Sequence, residues 1–151
     1  MRELHLIAHD LRSRENVGSL FRTADSLGVS KLWLTGYTPA PPDEKISKVA
    51  LGAEHSVVWE QYTDVEKVIA TLKKAGVPVY ALELTPEAVD LKEFVAPDRL
   101  ALLLGTEVTG IPPSLLSACD GGVIKITQQG VKESMNVAVA AGIASWAIVS
   151  K

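Results

Sequence analysis

Leu100-Ala101-Leu102-Leu103-Leu104-Gly105-Thr106-Glu107-Val108-Thr109-Gly110-Ile111-Pro112 is an unbroken apolar run that ends in a loop containing two glycines. A strand with one wet face would be apolar only at alternate positions. A strand that is apolar throughout is covered on both faces, which is the habit of parallel sheets between helical layers. The neighbouring sequence repeats the pattern. Upstream, Val77 to Leu82 reads as a strand, preceded by a helix that Asp64 can cap and that runs to about Lys74, with Gly76 closing it. Downstream, Pro112 and Pro113 open a short helix around Ser114 to Ala118, Val123 to Ile126 reads as the last strand, and Ser134 to Val149 as the last helix.

The N-terminal half follows the same alternation. Leu4 to Ala8 and Leu32 to Leu34 read as strands, and Val57 to Trp59 as a third. Val17, Leu20, Phe21, Ala24 and Leu27 share one helical stripe that Gly28 terminates, and Ile46 to Leu51 reads as a short helix. A Gly36/Pro39/Pro41/Pro42 loop follows the second strand. Strands and helices alternating along the whole chain predict an α/β fold: three layers around a mostly parallel sheet. At 151 residues and about 150 per domain, one domain over 1–151 is expected.

Composition narrows the classes of function. The chain is 47% hydrophobic and 22% charged, which excludes disordered and low-complexity classes. The net charge of −3 argues against wrapping nucleic acid by bulk charge, but leaves room for a local basic patch built from Arg2, Arg12, Arg14, Arg22 and Lys31. Cys119 has no partner for an intrachain disulfide, which fits a reducing, cytoplasmic setting, and it reads as a small buried filler. The alanine-rich C-terminal segment contains Ser145 and reads as a core or interface helix, not a membrane span. The N-terminus lacks a signal-peptide pattern. His5, His9 and His55 do not have metal-ligand spacing, so no metal is expected. Aromatic residues are only 5%, too few for a broad stacking platform.

Open α/β sheets bind ligands beyond the carboxyl ends of their strands, and three segments sit there. The first is Asn16-Val17-Gly18-Ser19-Leu20-Phe21-Arg22. On a helical wheel Arg22 lies roughly 140° from Val17, away from the apolar stripe, free for solvent, a ligand or another chain. Asn16 alone reads equally as a helix N-cap. The second is Gly105 to Pro112. It is not a phosphate loop, because no Lys-Ser/Thr follows its second glycine, and Glu107 suits a cationic ligand or hydrogen-bond donors better than a polyphosphate. The third is Ile124-Lys125-Ile126-Thr127-Gln128-Gln129-Gly130, followed by Ser134-Met135-Asn136-Val137-Ala138-Val139-Ala140. Ser134 can cap the helix that follows, and small residues along that helix allow close approach of another backbone.

Each segment alone is compatible with an ordinary capped helix or loop. In order, however, Asn16-x-Gly18-x-x-x-Arg22, Leu104-Gly105-x-Glu107-x-x-Gly110-Ile111-Pro112 and Ser134-Met135-Asn136-Val137-Ala138-Val139-Ala140 resemble the three motifs of the SpoU (TrmH-like) RNA 2′-O-methyltransferases of the SPOUT superfamily. Ala50-Leu51-Gly52-Ala53-Glu54 adds to the likeness, which spans essentially the whole chain. The resemblance implies a C-terminal trefoil knot, S-adenosylmethionine (S-adenosyl-L-methionine, SAM) held in it, and a homodimer with active sites at the interface. It implies an RNA substrate, tRNA or rRNA, methylated on a ribose 2′-hydroxyl. By motif position it implies cofactor contacts at Leu82, at Gly105 after the fifth apolar strand, at Ile126 and at Met135. It implies a catalytic set of Arg22, Asn16, Glu107, Ser134 and Asn136.

Two features depart from the family pattern. Thr127-Gln128 stands where family members usually have Pro-Met, which is expected to loosen the loop. An N-terminal RNA-binding extension is expected to be absent, leaving substrate capture to the dimer surface, including Arg12 and Arg14. Thr127-Gln128 and the acidic charge motivate an alternative, a catalytically inactive SPOUT relative that binds RNA or SAM. A small-molecule α/β binding module is the blandest reading.

Overall fold

The computed structural model describes residues 1–132 and 134–151; Glu133, in the third segment, lies outside the described residues. The chain forms β1 (Glu3–His9), α1 (Arg14–Leu27), β2 (Lys31–Thr35), α2 (Glu44–Ala50), β3 (Trp59–Tyr62), α3 (Val65–Lys74), β4 (Val79–Leu82), β5 (Val89–Asp90), β6 (Arg99–Leu104), α4 (Pro113–Ala118), β7 (Gly122–Lys125) and α5 (Val137–Val149), with a 3₁₀ turn at Ala53–His55. The strands make one sheet in the order β3-β2-β1-β6-β4-β7-β5, and every strand pair is parallel.

The apolar run at 100–104 is the centre of this sheet. Leu100, Leu102 and Leu104 face a core shared with Val17, Leu20, Phe21 and Ala24 of α1, Ile46 of α2, and Ala141, Ala144 and Ile148 of α5. Ala101 and Leu103 face the opposite core, built with Val68, Ile69 and Leu72 of α3 and Leu115 of α4. Both faces are therefore dry, and the continuous run has its physical reason. Among the described residues no helix is long and apolar enough to cross a membrane.

Several predicted boundaries move. α1 starts at Arg14 because Ser13, not Asn16, caps it: the Ser13 side chain accepts from the Asn16 N–H at 3.0 Å. The third strand is Trp59–Tyr62, not 57–59, because the Val57 N–H is taken by the Ala53 carbonyl in closing the 3₁₀ turn. β5, only two residues long, was not predicted. It makes the 99–104 strand the sixth, not the fifth. The last helix begins at Val137, not Ser134, because Asn136 provides the cap, accepting from the Ala138 and Val139 N–H groups at 2.9 and 3.1 Å.

The right half of the sheet is out of chain order. β7 pairs with β4 on one side and β5 on the other, and Ile124 has Leu82 and Val89 as its two register partners. The 83–88 segment thus passes from one flank of β7 to the other, over the end from which the chain leaves toward α5.

Candidate active site

At the carboxyl ends of β4, β6 and β7 lies a cleft of about 590 Å³. All four positions expected to touch a cofactor line it: Leu82, Gly105, Ile126 and Met135. Glu107, Ser134 and Asn136 line it as well. Gly105 is dictated by packing. A Cβ there would sit 2.5 Å from Ile111 Cγ1, 2.6 Å from Gly110 C and 2.7 Å from Ile111 N, because the loop folds back over it.

The three sequence segments meet through side chains. Glu107 accepts the backbone N–H groups of Arg12 and Ser13, each at 3.3 Å, and the Asn16 side-chain amide at 3.3 Å. Because an ionised carboxylate only accepts, Asn16 must turn its NH₂ toward Glu107 and its oxygen outward. That oxygen accepts the Asn136 amide at 3.1 Å, while the Asn136 oxygen caps α5. Burial pushes the Glu107 pKa up, but the backbone donors and Asn16 more than offset it, and the carboxyl ends below its ordinary value. Asn16 is held by this chain without lining the cleft.

Gly18 explains the glycine of the first segment. A Cβ there would lie 2.7 Å from the Ile46 carbonyl oxygen and 2.8 Å from Val49 Cβ, so α1 and α2 could not pack as they do.

Within the single chain, Arg22 does not join this group. It is exposed on α1 and lines a second hollow, of about 480 Å³, with Ser19, Val49, Gly142 and Trp146. Beside that hollow α5 leaves Val139, Ile143 and Trp146 exposed at 53%, 41% and 62%, an uncovered apolar stripe. Arg14, one of the expected RNA contacts, is paired with Asp43 at 3.1 Å. Cys119 is buried, and burial pushes its thiol up to about 11, so it is no reactive nucleophile.

Two site features escaped the sequence. Glu83 directly follows β4 and lines the cleft; its Oε2 accepts the Ile111 N–H at 2.9 Å and its Oε1 the Leu84 N–H at 3.0 Å. A Cβ on Gly110 would lie 2.3 Å from Glu83 Oε2, so the glycine admits this clasp. Its signal was positional: it stands to β4 as Gly105 stands to β6. The second is the Thr127 hydroxyl, which donates to Asp90 and ties the loop after β7 to β5. Proline at 127 could not make this bond.

A family model, described as the SpoU rRNA Methylase family, matches residues 3–146. The chain belongs to the SpoU family. This SpoU chain is 31% identical over 140 residues to a 23S rRNA (guanosine-2'-O-)-methyltransferase RlmB from Neisseria meningitidis serogroup B, covering 93% of itself and 55% of that relative. Its fold is similar to that of an AdoMet-bound rRNA methyltransferase from Sinorhizobium meliloti, with a TM-score of 0.87, 26% identity, and 97% of this chain and 55% of that one covered. It also resembles, with a TM-score of 0.86 and 27% identity over 96% of this chain and 93% of the other, a structure concerned with 2-OH methylation of C/U34 on tRNA. The SpoU chain thus spans about half the length of the first two.

Proposed function

We propose that this chain is a SAM-dependent RNA ribose 2′-O-methyltransferase, with residues 1–151 forming one methyltransferase domain, that acts on tRNA or rRNA as a cytoplasmic homodimer. The observation that carries the reading is the Glu107–Asn16–Asn136 chain, which fastens all three motif segments at the edge of one cleft. The relatives' names support the reaction and the RNA. The passage of 83–88 across both flanks of β7 supports a trefoil knot, with the end of β7 threaded beneath it.

The cleft suits SAM on its own chemistry. Its volume falls within the usual range for small-molecule sites, about 300–1,000 Å³. Leu82, Ile126 and Met135 offer apolar contact, the loop backbones offer donors and acceptors, and the carboxylates Glu83 and Glu107 favour a cationic ligand over a phosphate. When bound, SAM supplies a methyl group activated on a sulfonium. The chain's own residues must then hold the ribose hydroxyl in line, which is worth several kcal/mol of the barrier. Glu107, Asn16 and Asn136 hold the loops, and Ser134 is exposed at the cleft to meet substrate. Arg22 of a second copy completes the site, brought by docking of the uncovered α5 stripe. A guanidinium is a poor base, so Arg22 clamps an RNA phosphate, and a phosphate oxygen or water takes the 2′-hydroxyl proton.

The test is transfer of labelled methyl from SAM to total RNA, followed by nuclease mapping. A resistant 2′-O-methylated dinucleotide is expected. Label on a base, or none despite SAM and RNA binding, would overturn the reading; the latter favours the inactive relative.

A further inference from the structure

The exits of β1 and β2, adjacent in the sheet, are sewn together around one outward-facing ring. Thr35 and Thr38 are 0% and 1% exposed, whereas Tyr37 between them is 53% exposed. The Thr38 hydroxyl donates to the Ala8 carbonyl at 2.9 Å and accepts the Leu11 N–H at 3.0 Å. The Tyr37 N–H is held by Asp10 Oδ1 at 3.0 Å. Gly36 takes a left-handed φ of 62°, and a Cβ there would lie 1.8 Å from the same oxygen. Asp10 is itself left-handed, at φ 54°, with its other oxygen 3.3 Å from His9 Nε2.

The ring's surroundings point to what it meets. Among the described residues Tyr37 has no aromatic neighbour, whereas Tyr62, also at a strand end, leans on Trp33 at 5.8 Å. Exposed Arg12 is held beside Tyr37, because Asp10 accepts the Tyr37 N–H and the Leu11 N–H bonds the Thr38 hydroxyl, and the nearness of Tyr37 raises the Arg12 pKa. Arg14 is neutralised by Asp43, but among the described residues Arg12 makes no side-chain ion pair. The Arg12 backbone N–H in turn bonds Glu107, so the pair adjoins the fastened motif loops. A half-exposed ring for a base and a guanidinium for its phosphate are the two elements of sequence-tolerant contact with single-stranded RNA.

We propose that Tyr37 and Arg12 form a rim beside the cleft on which an unstacked RNA base lies against the ring while Arg12 holds an adjacent phosphate. This inference rests on the RNA-modifying function proposed above. It assigns the capture that the net acidic charge cannot perform to one aromatic–cation pair.

The test uses a short single-stranded RNA carrying one 5-iodouridine, with Tyr37→Phe, Tyr37→Leu and Arg12→Gln. Tyr37→Leu is expected to weaken binding about tenfold, the scale of one lost base stack, and to abolish the photo-crosslink at residue 37. Tyr37→Phe is expected to bind within about twofold of the parent, since the ring does the work. Arg12→Gln is expected to reduce the salt slope by about one. SAM calorimetry and thermal melting should be unchanged in all three. Unchanged RNA affinity in Tyr37→Leu, a crosslink mapping elsewhere, or equal losses in Tyr37→Phe and Tyr37→Leu would overturn the rim alone. A parent protein that binds no RNA at all would remove the proposed function and the rim with it.

Discussion

Replacing Gly105 with alanine isolates what closes the cleft. The added methyl carbon would meet Ile111 Cγ1 at 2.5 Å, about 0.9 Å inside ordinary contact, and two backbone atoms at 2.6 and 2.7 Å. Ile111 is only 5% exposed and cannot swing clear, and its N–H is held by Glu83. The 105–111 loop must therefore lift off the end of β6. Such overpacking costs about 2 kcal/mol, within the usual 1–3. In a domain of this size that lowers the Tm by about 4–8 °C. The lifted loop also lines the cleft, so SAM affinity should fall by about tenfold or more, equivalent to ~1.4 kcal/mol. Calorimetry with SAM and a thermal scan read both effects. Gly130→Ala is the matched control, because nothing lies within 4 Å of a Cβ there, and it should behave as the parent. If Gly105→Ala binds SAM and melts like Gly130→Ala, the loop is not seated as described and the steric reasoning fails.

Arg22→Ala should keep the fold and SAM binding yet lose methyl transfer by about 100-fold or more, the scale of misplaced substrate, as read by label incorporation. Full activity would remove its assigned role. Trp146→Glu places a charge on the uncovered α5 stripe and should turn a dimer into an inactive monomer by sedimentation; an active monomer would refute the shared site. Glu107→Gln tests the network through pH. Because the folded carboxyl titrates below its ordinary value, its contribution is complete above about pH 4.3 and is lost as pH falls through the lowered pKa. The Tm gap between parent and variant should therefore be constant near neutrality and close in acid; a gap that widens on acidification contradicts the assignment. Thr127→Val should weaken SAM binding severalfold by releasing the loop from Asp90, whereas Thr127→Ser should restore it. Equal behaviour of the two would mean the hydroxyl does not hold the loop.

The parts of this molecule that repeat were readable from its residues. Val17, Leu20, Phe21 and Ala24 are buried along one side of α1, and residues 100–104 are dry on both faces, as a periodic and a continuous apolar pattern respectively require. Two-residue β5 could not be read, because a strand so short has no pattern of its own and exists only by pairing with β7. The α5 cap was misplaced because Ser134 and Asn136 are both good capping types two positions apart. The Asn136 oxygen takes the Ala138 and Val139 N–H groups while its amide reaches Asn16, a partner 120 positions away that no local pattern reveals. The wheel angle of Arg22 correctly took it out of the core but carried no information on which hollow it would enter. Glu83 passed unnoticed among other acidic residues because its importance comes from Gly110 and Ile111, which only tertiary packing brings to it.

The lane between β4 and β5 stays vacant until residues 122–125 arrive, and synthesis makes them after every other strand of the sheet. A nascent chain with everything up to Ala118 extruded leaves β4 as a bare edge, with neither β7 nor β5 beyond it and no floor for a ligand. Ligand capture cannot template the early stages of folding here. It can only reward completion, so termination before residue 122 should yield an open-edged, sticky product instead of a merely weakened protein.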